Sequence, residues 1–346
     1  MTQSANKAPK VLKETKKKIK VDFERTSAWK RFRLKYLSKK FIVGSLWWLF
    51  RFILLLGISY VILLPFFTKI SSSFMSASDF ADSGVKLIPK YPTLDTYKAI
   101  IVENGYFSAL LNTFILSLSC ALIQTFIACL VGYGLSKFKF KGSGLVFFLV
   151  IFTMVVPHST IKFSMYMKFR YFDIYGLFKL LRNAGIINFT YFKFTDTFIP
   201  LLVLSLGGLA YKNGLFIFLM RQFFRGVPDE LEESAYIDGY GVFKTFFRIV
   251  IPISIPMMIT VFLLSFSWQW TDNFYTDMFF SPLTSTIKLL PDIVKTPASM
   301  AATATGYMQS AITNAASLLI ILPLIIMYLF CQKYLTQGIE RSGIVG

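Results

Sequence analysis

The sequence predicts an all-α, polytopic membrane protein with six transmembrane helices. Of its 346 residues, 55% are hydrophobic and 38 are phenylalanine, which is too apolar for an ordinary soluble domain. A helix needs roughly 20 apolar residues to cross the hydrocarbon core, and backbone groups inside lipid must bond within the protein. The sequence offers six such runs and shows no alternating barrel strands. The runs lie at about 41–67, 109–135, 145–167, 198–224, 250–270 and 311–334.

The first 40 residues form a strongly basic segment ahead of the first apolar run. They hold 14 Lys or Arg against Glu14, Asp22 and Glu24, a net charge of 14 − 3 = +11. Such a block can bind nucleic acid, but beside an apolar run it is typical of a segment that stays in the cytoplasm and contacts anionic lipid. It is too long for the basic part of a cleavable signal peptide. We therefore predict a basic cytoplasmic segment over 1–40 and a six-helix transmembrane domain over 41–346.

The charges of the loops indicate the orientation in the membrane. With the N-terminus inside, six spans return the C-terminus to the cytoplasm. The first cytoplasmic loop, 136–144, carries three lysines, and the outer segments 68–108 and 271–310 are close to neutral, as the positive-inside rule expects. The outer segment 168–197 breaks the rule with five cations against two acids, but the basic N-terminus outweighs it. A short amphipathic helix near 174–182 is predicted there, on the outer membrane surface.

The segment 226–252, between the fourth and fifth runs, is polar and longer than a tight turn requires. Gly226 and Pro228 break the preceding helix, and proline suits the first turn of a new one. The acids that follow favour the positive end of the helix dipole, and they are Asp229, Glu230, Glu232 and Glu233. Gly239 then ends the helix, since glycine adopts a positive φ without strain. A second short helix, about 242–249, leads into the fifth run. Such a loop suits docking of a cytoplasmic partner, or packing against the protein's own bundle.

The spacing within this segment resembles the EAA loop of ABC importer permeases. That loop reads Glu-Ala-Ala, three residues, Gly, nine residues and Ile-x-Leu-Pro. The matching residues are Glu233, Ala235, Gly239, Ile249 and Pro252, and the departures are Ser234 and Ile251. Other stretches resemble the smaller permease partner of maltose-type, oligosaccharide-importing systems, and they lie at 91–97, 111–114, 133–140, 154–157, 219–238 and 332–346. The resemblance covers about 70–346, and the basic N-terminus and the segment 168–197 depart from it.

This resemblance implies the transmembrane permease subunit of an ATP-driven ABC importer for oligosaccharides. Such a subunit forms half of the translocation pathway and leaves ATP hydrolysis to a separate chain. The implied partners are a second permease subunit, two ATP-binding cassette subunits and an extracytoplasmic sugar-binding protein. The implied location is the plasma (inner) membrane of a prokaryote, with both termini in the cytoplasm.

In the family the EAA loop holds a coupling helix that sits on the ATPase. Carried over by position, the coupling residues are Glu233, Ser234, Ala235, Asp238 and Gly239. The helical pattern itself predicts an exposed ridge that holds Ala235 and the acids. The resemblance implies that Glu233 pairs with a basic group of the ATPase. It also implies that Gly239 sets the angle between the two helical pieces.

Polar residues within apolar runs predict a substrate pathway, because they are costly in lipid unless they face a cavity or a partner. Lys212 and Asn213 interrupt the fourth run, with Lys212 near the middle of the predicted span. The fifth run ends with Trp268, Trp270, Asp272 and Asn273. Aromatic faces with amide and carboxylate groups suit sugar rings, and the family has a similar element at this place. The alternatives are an interfacial aromatic belt for the tryptophans, and snorkelling or a partner helix for Lys212.

The sequence predicts no catalytic site, no cofactor and no metal centre. It lacks the Gly-x-x-x-x-Gly-Lys-Ser/Thr phosphate loop, its three cysteines lie in apolar runs as packing residues, and its one histidine, His158, has no acid nearby in sequence. Three other functions stay open: an ABC permease for a non-sugar solute such as a peptide or polyamine, an ion-coupled secondary transporter, and a membrane scaffold. The secondary transporter predicts inverted repeats and an intramembrane carboxylate pair, and the sequence shows neither.

Overall fold

The computed structural model describes Trp29 and residues 39–343, apart from 83, 86, 281–284 and 303–305. The basic segment predicted over 1–40 therefore lies almost wholly outside the described residues. The described part of the chain is helical and has no strand, only an isolated antiparallel bridge between Phe172 and Phe192, so the all-α class is confirmed.

The helices are α1 (Lys39–Ser73), α2 (Ala77–Ala81), α3 (Asp95–Glu103), α4 (Tyr106–Lys137), α5 (Ser143–Val155), α6 (His158–Arg170), α7 (Leu177–Asn183), α8 (Ile199–Leu206), α9 (Asn213–Arg225), α10 (Glu230–Ile237), α11 (Val242–Thr245), α12 (Ile251–Trp270), α13 (Phe274–Phe279) and α14 (Gly306–Gly343). A π-helical turn, Phe246–Val250, joins α11 to α12, and the 3-10 turns Leu290–Val294 and Ala298–Met300 precede α14. The short helix α7 lies where an amphipathic helix was predicted.

The chain divides into two compact units, one up to Thr68 and one from Lys69 onward. In the first unit, α1 exposes apolar side chains on every side, with Trp48 at 62% and Val61 at 68% exposure. A helix that is apolar on all sides is typical of a membrane span, because it has no polar face to present to water and is stable only when lipid or protein surrounds it.

Among the residues that the structure describes, four helices are long and apolar enough to cross a membrane. They are Val43–Ser73, Tyr106–Lys137, Val242–Trp270 and Gly306–Lys333. They correspond to the first, second, fifth and sixth apolar runs, and they confirm a polytopic membrane protein.

The third and fourth apolar runs are interrupted. Helices α5 and α6 meet at 99° where Pro157 follows Val156, because proline lacks an N–H and holds the residue before it extended. The fourth run is two helices, α8 and α9, separated at 207–212, where Gly208 and Lys212 both have positive φ. Lys212 was predicted near the middle of a continuous span. It lies instead at the break between α8 and α9. That these two runs cross the membrane stays a prediction.

Helix α4 is central to the second unit, where it packs against α8, α9 and α12. Small residues let the backbones approach closely, as in other membrane helix pairs. Ala121, Ala128 and Cys129 are fully buried, and a Cβ added at Gly132 lies 2.7 Å from the Met220 Cβ of α9. Cys120 and Cys129 are both buried and unpaired, which confirms their role in packing.

Gly132→Ala is expected to lower the thermal stability of the detergent-solubilised protein by about 1–3 kcal/mol, because the added methyl overpacks the α4–α9 contact. Gly134→Ala is the matched control on the same helix, since no heavy atom lies within 4 Å of its added Cβ. This control should be neutral or slightly stabilising, because alanine suits a helix better than glycine. Equal melting temperatures for the two variants would contradict the close helix crossing.

Candidate functional site

The segment that joins α9 to α12 is a bent pair of short helices, and we call residues 226–245 the elbow. Helix α10 begins at Glu230, two residues after Pro228, and its first turn is acidic as the helix dipole favours. It ends at Ile237, and Gly239 follows with a φ of 80°. Helix α11 then runs through a π-helical turn into α12 without a break. The predicted helix, glycine turn and second helix are thus all present.

One predicted surface residue of the elbow faces inward. Ala235 is only 2% exposed, so the predicted ridge of Ala235 and acids is wrong at this residue. The reason is helical periodicity, since Ala235 lies three residues after the buried Glu232 and shares its face. The other predicted coupling residues, Glu233, Ser234, Asp238 and Gly239, all lie at the surface.

A buried polar network holds the elbow to the end of α4. The Tyr133 hydroxyl donates to Glu232 Oε2 at 2.9 Å, and Lys137 Nζ lies 3.6 Å from Glu232 Oε1. Lys137 also donates to the Val227 carbonyl at 2.6 Å and to Asp229 Oδ1 at 2.5 Å. The side chains of Lys137 and Glu232 are 8% and 11% exposed. One lysine therefore ties both ends of the first turn of the elbow to α4.

Asp229 is the solvent-facing member of this network. The hydrogen bond and the positive charge of Lys137 lower the pKa of the Asp229 carboxyl. It therefore stays ionised at neutral pH, and the pair weakens only as the pH falls through this lowered pKa.

Aromatic rings enclose the Tyr133 end of the network. The Tyr133 ring lies 5.5 Å from those of Phe138 and Phe224 and 5.1 Å from that of Phe246. Excluding water lowers the local dielectric, which strengthens a satisfied polar contact and raises the cost of breaking it.

Sequence reasoning missed this network. Tyr133 and Lys137 lie four residues apart and so share a face at the end of α4, which is the signal that could have shown them. Lys137 was instead assigned to the positive charge of a cytoplasmic loop.

The outer surface of the elbow and of the π-helical turn that follows it is apolar as well as acidic. Ile237 is 87% exposed, Phe243 81% and Phe247 55%. Large exposed apolar side chains on a segment that also carries exposed acids are typical of a protein–protein docking site.

Among the predicted pathway residues, Lys212 and Trp268 come together. Lys212 Nζ lies 5.0 Å from the ring centroids of both Tyr211 and Trp268, a distance at which cation–π attraction operates. His158, from the bend between α5 and α6, faces Tyr211 and bonds through Nδ1 to the Tyr275 hydroxyl at 2.7 Å. The two interrupted runs and the end of α12 therefore meet at one aromatic group.

The remaining pathway candidates lie elsewhere. Trp270 is 2% exposed and donates to the Ile320 carbonyl of α14, so it packs in the core. Asn213 is 1% exposed and donates to the Ser205 carbonyl. Asp272 accepts the backbone N–H groups that begin α13 and so stabilises that helix, while Asn273 is exposed beside it.

Comparisons with known proteins place this fold. The family model described as "Binding-protein-dependent transport system inner membrane component" matches residues 124–341, well over half of the chain. The probable ABC transporter permease protein YurM of Bacillus subtilis is 27% identical over 302 residues, which cover 86% of this chain and 88% of YurM. The maltodextrin transport system permease protein MalD of Streptococcus pneumoniae is 28% identical over 299 residues, 84% of this chain and 93% of MalD.

The fold is shared with a solved structure. A chain of a bacterial ABC transporter involved in the import of the acidic polysaccharide alginate matches with a TM-score of 0.62 and 20% identity. The match covers 86% of this chain and 98% of that one.

Proposed function

Because the chain belongs to the family of binding-protein-dependent transport system inner membrane components, we propose that it is the permease subunit of an ATP-driven ABC importer for oligosaccharides. The elbow carries this proposal, since an exposed, acidic helix anchored to a membrane span suits the transfer of force from a separate ATPase. The similarity to a maltodextrin permease and the aromatic group around Trp268 support a sugar as the solute.

The outer surface of the elbow is the docking site for the ATP-binding cassette subunit. Ile237 and Phe243 supply apolar anchors, which dominate the affinity of most interfaces. Glu233 pairs with a basic group of the ATPase, and Ser234, Asp238 and Gly239 border it. Ala235 contributes from the inside, because its small side chain lets α10 lie close to the bundle.

Four further partners complete the proposed assembly. One chain forms half of the pathway, so a second permease subunit supplies the other half. Two ATP-binding cassette subunits drive transport, and an extracytoplasmic sugar-binding protein delivers the solute.

We place the chain in the plasma (inner) membrane of a prokaryote, with both termini and the elbow in the cytoplasm. The contact between Lys137 and Asp229 supports this orientation, because it puts the lysine-rich loop after α4 on the same side of the membrane as the elbow. Positive loops are retained in the cytoplasm.

Transport by vesicles tests the proposal. Right-side-out vesicles from cells that express the complete assembly, supplied with internal ATP and external binding protein, are expected to accumulate a neutral or acidic oligosaccharide from a sugar panel. Uptake should stop when ATP is withheld and continue when ion gradients are collapsed. Uptake that follows an ion gradient without ATP favours a secondary transporter, and uptake of peptides or polyamines alone favours a non-sugar permease.

A further inference from the structure

One face of α6 carries a polar residue at every fourth position. These residues are His158, Lys162, Tyr166 and Arg170. A spacing of four places side chains above one another on a helix, about 6 Å apart. The face borders two neighbouring cavities that share Ser159, one of about 370 Å³ and one of about 570 Å³. The smaller is lined by His158 and Lys212, and the larger by Lys162, Tyr166 and Arg170.

The cations of these cavities rest on aromatic groups. Lys162 Nζ lies 5.0 Å from the centroid of the Phe274 ring, and Arg170 donates to the Tyr166 hydroxyl at 3.1 Å. Lys212 lies over two rings in the same way. Aromatic surface holds a cation in place but leaves its charge uncompensated.

Charge is not balanced around the cavities. Within the described ranges, no carboxylate oxygen lies within 4.0 Å of the charged nitrogens of Lys162, Arg170 or Lys212. Two acids line the larger cavity, Asp196 and Asp277. Asp196 is 2.7 Å from Lys193, which lines neither cavity. Across the two cavities together, the cations Lys162, Arg170 and Lys212 therefore exceed the one remaining acid, Asp277, by 3 − 1 = 2.

We propose that these two cavities bind an acidic oligosaccharide, one whose sugar rings carry carboxylates. This inference rests on the proposed importer function and specifies its substrate class. Arginine binds a carboxylate through two parallel hydrogen bonds, and lysine adds a point charge. The regular spacing along α6 offers one charged or hydroxyl group to each successive ring, and the aromatic residues stack on the apolar ring faces. A neutral glycan offers these three cations no opposite charge, so it gains fewer charge-assisted contacts and binds more weakly.

Binding of one sugar in two charge forms tests this inference. The complete assembly, purified in detergent without the external binding protein, is titrated with trigalacturonate and with its fully methyl-esterified form by microscale thermophoresis. We expect the acid form to bind about tenfold more tightly or better, and salt to weaken only the acid form. Lys162→Gln and Arg170→Gln should each weaken the acid form roughly fivefold and leave the ester unchanged.

Lys168→Gln is the matched control, because this lysine belongs to the same helix but lies over the Tyr175 ring and lines neither cavity. It should bind both forms as the wild type does. Equal affinity for acid and ester, binding of neither, or a loss in Lys168→Gln as large as in Lys162→Gln overturns the inference. These outcomes leave the importer proposal standing, which fails instead if no ATPase subunit co-purifies with the chain.

Discussion

Glu233→Lys is expected to abolish ATP-driven sugar uptake while the protein still inserts into the membrane. Glu233 is exposed on α10, and its carboxylate is proposed to pair with a basic group of the ATPase. Reversing its charge sets two cations against each other in a desolvated interface, which lowers the affinity by about tenfold or more. Uptake by vesicles and retention of the ATPase on the purified chain measure the effect.

Glu230→Lys is the matched control for this change. Glu230 is also an exposed acid in the first turn of α10, so both variants lose the same favourable interaction with the helix dipole. Only Glu233 occupies a coupling position. Glu230→Lys should therefore keep most of its uptake, and equal loss in both variants would show that helix stability, not docking, is responsible.

Lys137→Met is expected to free the elbow from the membrane domain. The change leaves the buried carboxylate of Glu232 without its cation, and an uncompensated buried charge costs roughly 3 kcal/mol or more. The elbow should then open locally, with amide exchange over 230–237 faster by about a hundredfold. Uptake should fall because force on α10 no longer reaches α4. Hydrogen exchange of the purified assembly measures the first effect and vesicle uptake the second.

Two further variants separate charge from packing. Lys139→Met removes a neighbouring lysine that makes no ion pair among the described residues, and it should leave exchange in the elbow unchanged. Adding Glu232→Gln to Lys137→Met removes the unpaired charge but keeps an acceptor for the Tyr133 hydroxyl, so protection should largely return. A fully protected elbow in Lys137→Met alone would contradict the anchoring role of this lysine.

The sequence was most informative where local chemistry decides the structure. Glycine adopts a left-handed backbone conformation without strain, so Gly239 could be predicted to end α10. The acids of the first turn could be predicted to begin the helix, because they favour the positive end of its dipole. Four apolar runs became continuous helices, since length and composition are sufficient for a span. The break near Lys212 was also visible in the sequence, as a glycine pair at 207–208 and the polar residues Lys212 and Asn213 shortly after it, but hydropathy averaged over the run hid it.

Tertiary contacts were beyond reach of the sequence. Glu232 and Tyr133 are 99 positions apart, and nothing local indicates which acid of the elbow is buried. The inward side of α10, and with it the burial of Ala235, depends on that partner. Nothing in the sequence distinguished Trp268 from Trp270, yet Trp268 faces Lys212 and Trp270 packs against α14.

The central claim is that the elbow receives force from a separate ATPase on the cytoplasmic side. A cryo-electron microscopy map of the complete assembly tests it most directly. We predict α10 seated in a cleft of an ATP-binding cassette subunit, with Glu233 within hydrogen-bond distance of a basic side chain. An elbow on the opposite side of the membrane, or one that touches no ATPase subunit, would contradict the claim.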